Sequence, residues 1–341
     1  MKFLNYLVIA ALAVSVAFTS CKKDKDNEKI DIYVAGSIGL SAVLWKNGAP
    51  QDLTDGTRTA VANSVFVSGD NVYVAGYERN GFYWNSPSFA TLWINGEIQY
   101  LTDETNDANA NSVFVSGSNV YVAGYKRNEH NRNIAMLWIN GVAQNLSDGT
   151  SWADANSVFV SGGNVYVAGS KLWKNGIVQI LPDGTDHPGG NSVFVSDGDV
   201  YVAGSSFVFL ENEGFSISIA TLWKNGVEQN LTDGTSWANS VFVSGGNVYV
   251  VGAENNEQNV AIAKAWVNGV AINITDGTNY AIVNSVFVSG DGVYVAGEAY
   301  EQYYRYVARL WKNGITQRLN TRYDEYNPPS SLARSVFVVE K

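Results

Sequence analysis

The side chains behind most enzyme chemistry are scarce in this chain. Its 341 residues hold two histidines, His130 and His187, and one cysteine, Cys21. No His-Glu-x-x-His pair offers two imidazoles to a metal, and no Gly-x-Ser-x-Gly turn presents an activated hydroxyl. Metal hydrolysis and serine or cysteine catalysis therefore lack their usual parts, and no catalytic residue, metal ligand or cofactor is assigned. Carboxylates remain, and two of them meeting across one face would suffice for a carbohydrate-active hydrolase or lyase. Asp-Gly pairs recur at Asp55, Asp148, Asp183, Asp233 and Asp276, with Asp103-Glu104 as the variant. Each brings one carboxylate, whereas calcium gathers six to eight oxygens, and Asp-Gly is a ready turn former. The other chemistry on offer is stacking. Seven of the ten tryptophans, at 45, 93, 138, 173, 223, 266 and 311, each stand two residues before an Asn-Gly pair; Trp84, Trp152 and Trp237 do not.

A repeat positions these residues. The phrase Asn-Ser-Val-Phe-Val-Ser-Gly starts at Asn63, Asn111, Asn156, Asn191 (ending in Asp197), Asn239 and Asn284, with a shortened copy from Arg334 to Val338. Start-to-start spacings of 48, 45, 35, 48, 45 and 50 residues fall in the range of propeller blades and helical arrays. Between the phrases lie short Val-, Tyr-, Phe- and Trp-rich runs broken by glycine, with no apolar 3.6-residue period, so each unit is a small β-meander. The third unit divides into strands a (111–117), b (120–124), c (135–139) and d (142–146). Asn-Gly joins c to d in every unit, the pair that favours a two-residue type I′ turn. Seven such hairpins predict seven blades. The near-continuous apolar runs predict strands buried on both faces between neighbours.

The chain enters its first unit at strand b (32–36) and ends on an orphan strand a (335–338). That mixing of first and last strands resembles the ring closure of β-propellers. The resemblance implies an all-β, seven-bladed β-propeller of four-stranded antiparallel blades over residues 30–341, its C-terminal strand joining the N-terminal blade. Neither the WD40 ending nor the kelch double glycine is present. Two segments, Leu146-Ser-Asp-Gly-Thr-Ser-Trp152 and Leu231-Thr-Asp-Gly-Thr-Ser-Trp237, resemble the Asp-box of sialidase-type propellers but differ in spacing and position, so no sialidase residue is transferred.

In such a meander the a-b and c-d turns share one end, called lower here. The b-c loops and d-a connections share the other, upper end. The lower turns are nearly constant, and the long variable segments all lie above, where binding residues usually sit. The predicted ligand-binding residues are Tyr83, Trp84, Tyr125, Arg127, His130, Trp152, Trp237, Tyr280, Tyr303 and Tyr304. Aromatics with Arg and Asn nearby suit a glycan or a protein ligand. Short b-c loops in the first and fourth units, three apart in a ring of seven, predict a low groove across this face. The seven repeated Trp residues read as inter-blade packing. The Asn opening each strand a could ring the channel mouth, and bonding to its own turn is the simpler use.

Residues 1–20 read as an export signal, with Lys2 followed by an apolar stretch too short to span a bilayer. Phe18-Thr19-Ser20-Cys21 resembles the lipobox of bacterial lipoproteins, which implies lipidation at Cys21. Residues 21–29 are charged and read as a tether. The expected product is a monomeric, lipid-anchored binding or scaffolding module of the bacterial cell envelope, with the outer-membrane surface as a candidate address. The membrane is met only through the anchor. Alternatives are the carbohydrate-active enzyme and a purely structural repeat protein. The formal net charge of −10 argues against nucleic acid as a partner.

Overall fold

The computed structural model describes residues 30–81, 86–103, 105, 107–179, 189–210, 214–301, 305–321 and 329–341. The signal, the tether and Cys21 lie outside the described residues, as do Tyr83, Trp84, His187, Tyr303 and Tyr304. Every regular element among the described residues is a β-strand, and seven four-stranded antiparallel sheets follow the order a-b-c-d. The protein is a seven-bladed β-propeller. Blade 1 is assembled from both ends of the chain: Ser331–Glu340 pairs with Ile30–Ile38, from Ile30 opposite Glu340 to Ile38 opposite Ser331. At this seam the buried Asp31 meets Lys341 at 2.5 Å and Lys46 at 3.3 Å and accepts a bond from the Asn47 amide. Lys341 and Asn47 hold its carboxyl well below the usual carboxylate range.

The lower end is built by one device used seven times. Asn47, Asn95, Asn140, Asn175, Asn225, Asn268 and Asn313 all adopt φ of 50 to 53°, each followed by a positive-φ glycine, as a type I′ turn requires. The Asn side chain then clips the turn to strand b. In blade 3 the Asn140 Oδ1 accepts the Val120 N–H at 2.9 Å, and its Nδ2 donates to Asn119 Oδ1 at 2.8 Å. The backbone half of this clip recurs in all seven blades at 2.7 to 2.9 Å.

The inner strands begin earlier than the repeated phrase suggests. Strand a of blade 3 is Ala108–Ser116, and Asn111 sits at a bulge where the register shifts between Ala110 and Ser112. The same shift recurs in every blade. It throws a strand-a carbonyl against the glycine of strand b: a Cβ at Gly124 would lie 1.9 Å from the Asn109 oxygen. No side chain fits there, which explains the glycine that follows Tyr-Val-Ala or Tyr-Val-Val in all seven blades. The bulge also turns the Asn amide outward to its neighbour. Asn63, Asn111, Asn156, Asn191, Asn239 and Asn284 each donate from Nδ2 to a carbonyl of the next blade at 2.9 to 3.1 Å, rather than to their own turns. The following serine completes a second ring. Each Ser Oγ accepts a valine N–H of the adjacent blade, seven bonds of 3.1 to 3.2 Å. Neutral bonds of this kind contribute about 0.5–1.5 kcal/mol each, and they fix the blades in register around the axis.

Packing between blades follows the repeated indoles. All seven are 0 to 3 % exposed. Trp93 of blade 2 packs on Tyr33, Ala35 and Leu44 of blade 1, and Trp138 of blade 3 on Ala75, Ala90 and Leu92 of blade 2. The indole N–H groups of Trp93, Trp138, Trp173 and Trp266 lack a hydrogen-bond partner. Apolar contact, not polar pairing, therefore holds these four. Phe66, Phe114, Phe159, Phe194, Phe242, Phe287 and Phe337 close an apolar girdle around the axis, with successive ring centroids 4.7 to 4.9 Å apart. The expectation of strands buried on both faces holds for b and c only. Strand d is exposed, as in Val142–Asn145, and strand a alternates. Radial sheets diverge outward, so the outer strands have no neighbouring blade to cover them.

Candidate functional site

The connection between blades 3 and 4 carries an indole that is exposed at the upper end. Asp148 starts it with a local turn, its Oδ1 accepting from the Thr150 N–H at 3.0 Å and the Thr150 hydroxyl at 2.8 Å. These bonds hold its carboxyl below the usual range. Asp55, Asp103 and Asp276 cap Thr57, Thr105 and Thr278 in the same way, so these carboxylates shape turns. Further bonds pin the connection from blade 3. Asn128 Nδ2 donates to the Gly149 carbonyl at 3.0 Å, Arg132 Nη1 to the Thr150 carbonyl, and the Ala153 N–H to the Asn133 carbonyl at 3.0 Å.

Trp152, 53 % exposed, stands on this pinned segment. The Arg127 guanidinium lies over its ring, 5.6 Å from the centroid. That guanidinium is fixed in turn: Nη1 donates to Asp107 Oδ2 at 2.7 Å and Nε to Asn133 Oδ1 at 3.3 Å. Asp107 Oδ1 accepts from the Ser88 N–H at 2.8 Å, and Asn133 Nδ2 donates to Asp154 Oδ1 at 2.7 Å. One network thus joins blades 2, 3 and 4 beneath the indole. Tyr125, two residues before Arg127 on strand b, is half-buried beside it, and burial, then the Asp107 charge, pushes its phenol up.

Beside Trp152 lies a hollow of about 750 Å³, bounded by Asn145, Asp148, Thr150, Trp152, Lys171 and Trp173 among others. Its cause is local. The b-c loop of blade 4 is only Ser170-Lys171, and strands c and d there are Leu172–Lys174 and Ile177–Gln179. Nothing rises from blade 4 to fill the space that longer loops fill elsewhere, which agrees with the low rim expected at this unit. Lys171 is exposed and forms no ion pair with the described residues.

A smaller hollow of about 440 Å³ occupies the equivalent place between blades 6 and 7. Here an ion pair from Arg309 to Glu301 stands on the wall, with Arg318 at 3.8 Å from the same carboxylate. Tyr280 packs edge-on against Tyr306 at 6.0 Å, which meets Tyr300 at 5.2 Å. Burial pushes the Tyr280 phenol up.

The predicted residues therefore separate. Tyr125, Arg127 and Trp152 gather at blades 3 and 4, and Tyr280 belongs to blade 7. His130 is exposed at a loop tip, 3.8 Å from Glu129, and lines neither hollow. Trp237 was expected in a connection; it lies half-buried within strand a of blade 6, Ser236–Ser244. Sequence reasoning missed Asp107, Asn133, Asp154 and Lys171. Their signal was departure from the repeat: Asp154 stands where Val61, Asn109 and Ile282 stand in other blades. Glu298 is also buried near the upper end, and burial raises its pKa. Its partners are the Asn284 amide at 2.8 Å and the Arg334 guanidinium at 3.4 Å, rather than a second carboxylate.

No protein-family model and no curated protein matches the chain. Among solved structures it is similar to tricorn protease at 12 % identity and a TM-score of 0.42, covering 76 % of this chain and 26 % of that one. TolB from Acinetobacter baumannii matches at 10 % and 0.44, with 73 % and 64 % covered. The β-propeller domain of the Trilobed protease from Pyrococcus furiosus matches at 12 % and 0.42, with 76 % and 83 % covered. The chain thus spans about a quarter of tricorn protease and under two thirds of TolB.

Proposed function

We propose that the protein is a lipid-anchored binding module of the bacterial cell envelope, which captures a glycan or protein ligand at the upper end over blades 3 and 4. The observation that carries this reading is Trp152, a half-exposed indole stacked on a fixed guanidinium at the rim of a hollow. A large aromatic held rigid and left open to solvent is suited to binding, since little side-chain entropy is lost when a ligand covers it. The anchor rests on Cys21 behind an export signal, lipid supplying the membrane affinity.

The binding half is tested by probing an array of glycans and envelope proteins with the closed ring and its Trp152→Ala variant. The variant is expected to lose the signals that the parent gives while melting within a few degrees of it. Undiminished signals in Trp152→Ala, with loss on altering the Asn-Gly turns, would place binding at the other end. The anchoring half is tested by fractionating cells that express Cys21→Ala, which is expected to leave the membrane pellet. A variant that stays in the pellet contradicts the lipoprotein reading.

A further inference from the structure

We infer that the hollow between blades 3 and 4 is a saccharide subsite, in which a sugar ring stacks on the face of Trp152 left open by Arg127 and its hydroxyls meet Asp148, Lys171 and Asn145. This rests on the reading of the upper end as the binding face and narrows its ligand to one class.

Four observations carry it. An aromatic ring has an electron-rich face, which attracts the weakly positive C–H groups of one side of a sugar ring. Arg127 covers one face of Trp152, so a single flat surface is offered, and the bonds from Arg127 to Asp107 and Asn133 hold it in place. The indole lines a concave space of about 750 Å³, within the range of small-ligand sites, rather than standing on a flat patch. Its lining mixes hydrogen-bonding groups with apolar ones: Asn145, Ser147, Asp148, Thr150, Ser151, Ser170 and Lys171 stand beside Leu146, Ala153, Val178 and the indoles of Trp152 and Trp173. A protein hot spot is expected to carry fewer such hydrogen-bonding groups, its anchor being ringed by contacts that exclude water. Finally, the polar groups retain capacity. Asp148 uses Oδ1 on Thr150 and keeps Oδ2 for a hydroxyl, while Lys171, which forms no ion pair with the described residues, lines the same hollow. Ser147 and Ser170 accept backbone N–H bonds and keep their own hydroxyl protons to give. A carboxylate acceptor and an ammonium donor that line the same hollow as a stacking ring match the donors and acceptors of a sugar's hydroxyl edge.

The equivalent hollow between blades 6 and 7 shares the turn-capping aspartate, Asp276, and differs in its indole and its cations. Its wall carries the Glu301–Arg309 pair, each group already partnered, and no tryptophan stands at its rim among the described residues apart from the buried Trp311.

The test is saturation-transfer NMR together with tryptophan emission, using the closed ring and a panel of methyl pyranosides and disaccharides of glucose, galactose, mannose, xylose and N-acetylglucosamine. At least one sugar is expected to bind, with affinity falling roughly tenfold or more in Trp152→Ala and also in Lys171→Met. Arg309→Met, in the other hollow, should leave it unchanged. Near-ultraviolet circular dichroism of each variant separates loss of binding from loss of fold. If no sugar binds while an envelope protein is captured in a Trp152-dependent manner, the saccharide inference fails and the upper-end reading stands. Sugars that bind equally to Trp152→Ala and Lys171→Met would overturn both for this hollow.

Discussion

Two connections of the ring carry the same five residues, Asp148-Gly-Thr-Ser-Trp152 and Asp233-Gly-Thr-Ser-Trp237, and the two indoles end in different places. After Trp237 the chain reaches the bulge residue Asn239 in two steps; after Trp152 it takes four, through Ala153 and Asp154, to reach Asn156. Strand a of blade 6 consequently begins at Ser236 and draws Trp237 into the ladder opposite Ala253. Strand a of blade 4 begins at Ala155, with Asp154 opposite Ser170 in the position of Trp237. The serines part in the same way, Ser236 buried and Ser151 exposed. A side chain's fate here is set by its distance from the bulge that locks strand a to its glycine, and not by its local sequence.

Trp138→Ala sets the upper bound, since it empties a wholly buried indole site between blades 2 and 3. It is expected to cost about 3–5 kcal/mol in denaturant unfolding. Either of the other two indoles costing as much would show that it too is part of the inter-blade core. Deleting Ala153 and Asp154 should move Trp152 into the register of Trp237, at a cost of about 1–3 kcal/mol for the Asn133–Asp154 bond and the amide left unpaired. The tryptophan emission is then expected to shift to shorter wavelength, and an unshifted spectrum would mean that spacing does not set exposure. Trp237→Ala removes a half-buried aromatic and should cost about 1–2 kcal/mol. Trp152→Ala removes only the stacking on Arg127 and should stay within about 0.5–1 kcal/mol of the parent.

Much of the architecture was legible because its signals are short-range. Asn-Gly after Trp specifies a hairpin within a few residues, so seven hairpins could be counted, and the split of blade 1 followed from which strands were missing at each end. The bulge was not legible. It depends on a carbonyl of one strand meeting a glycine of another, and the Asn that occupies it looks in sequence like an ordinary strand opener. That one omission misplaced Trp237 and gave the Asn side chains to their own turns instead of to the next blade. The candidate site was half legible. Tyr125, Arg127 and Trp152 announced themselves as aromatic and basic residues on variable segments. Asp107 and Asn133, which fix Arg127, are unremarkable until three blades are brought together, and Lys171 matters only because the loop that carries it is too short to cover the hollow. His130 shares the loop chemistry of its neighbours yet lines neither hollow, a placement that no spacing rule supplies.

The measurement that tests the account most directly is acrylamide quenching of tryptophan emission in the parent, Trp152→Phe and Trp237→Phe. The repeated indoles are buried between blades, whereas Trp152 stands half-exposed at the rim. Trp152→Phe should therefore remove a readily quenched component that Trp237→Phe leaves largely in place. Equal quenching of the parent and Trp152→Phe would mean that Trp152 is enclosed and offers no surface to a ligand.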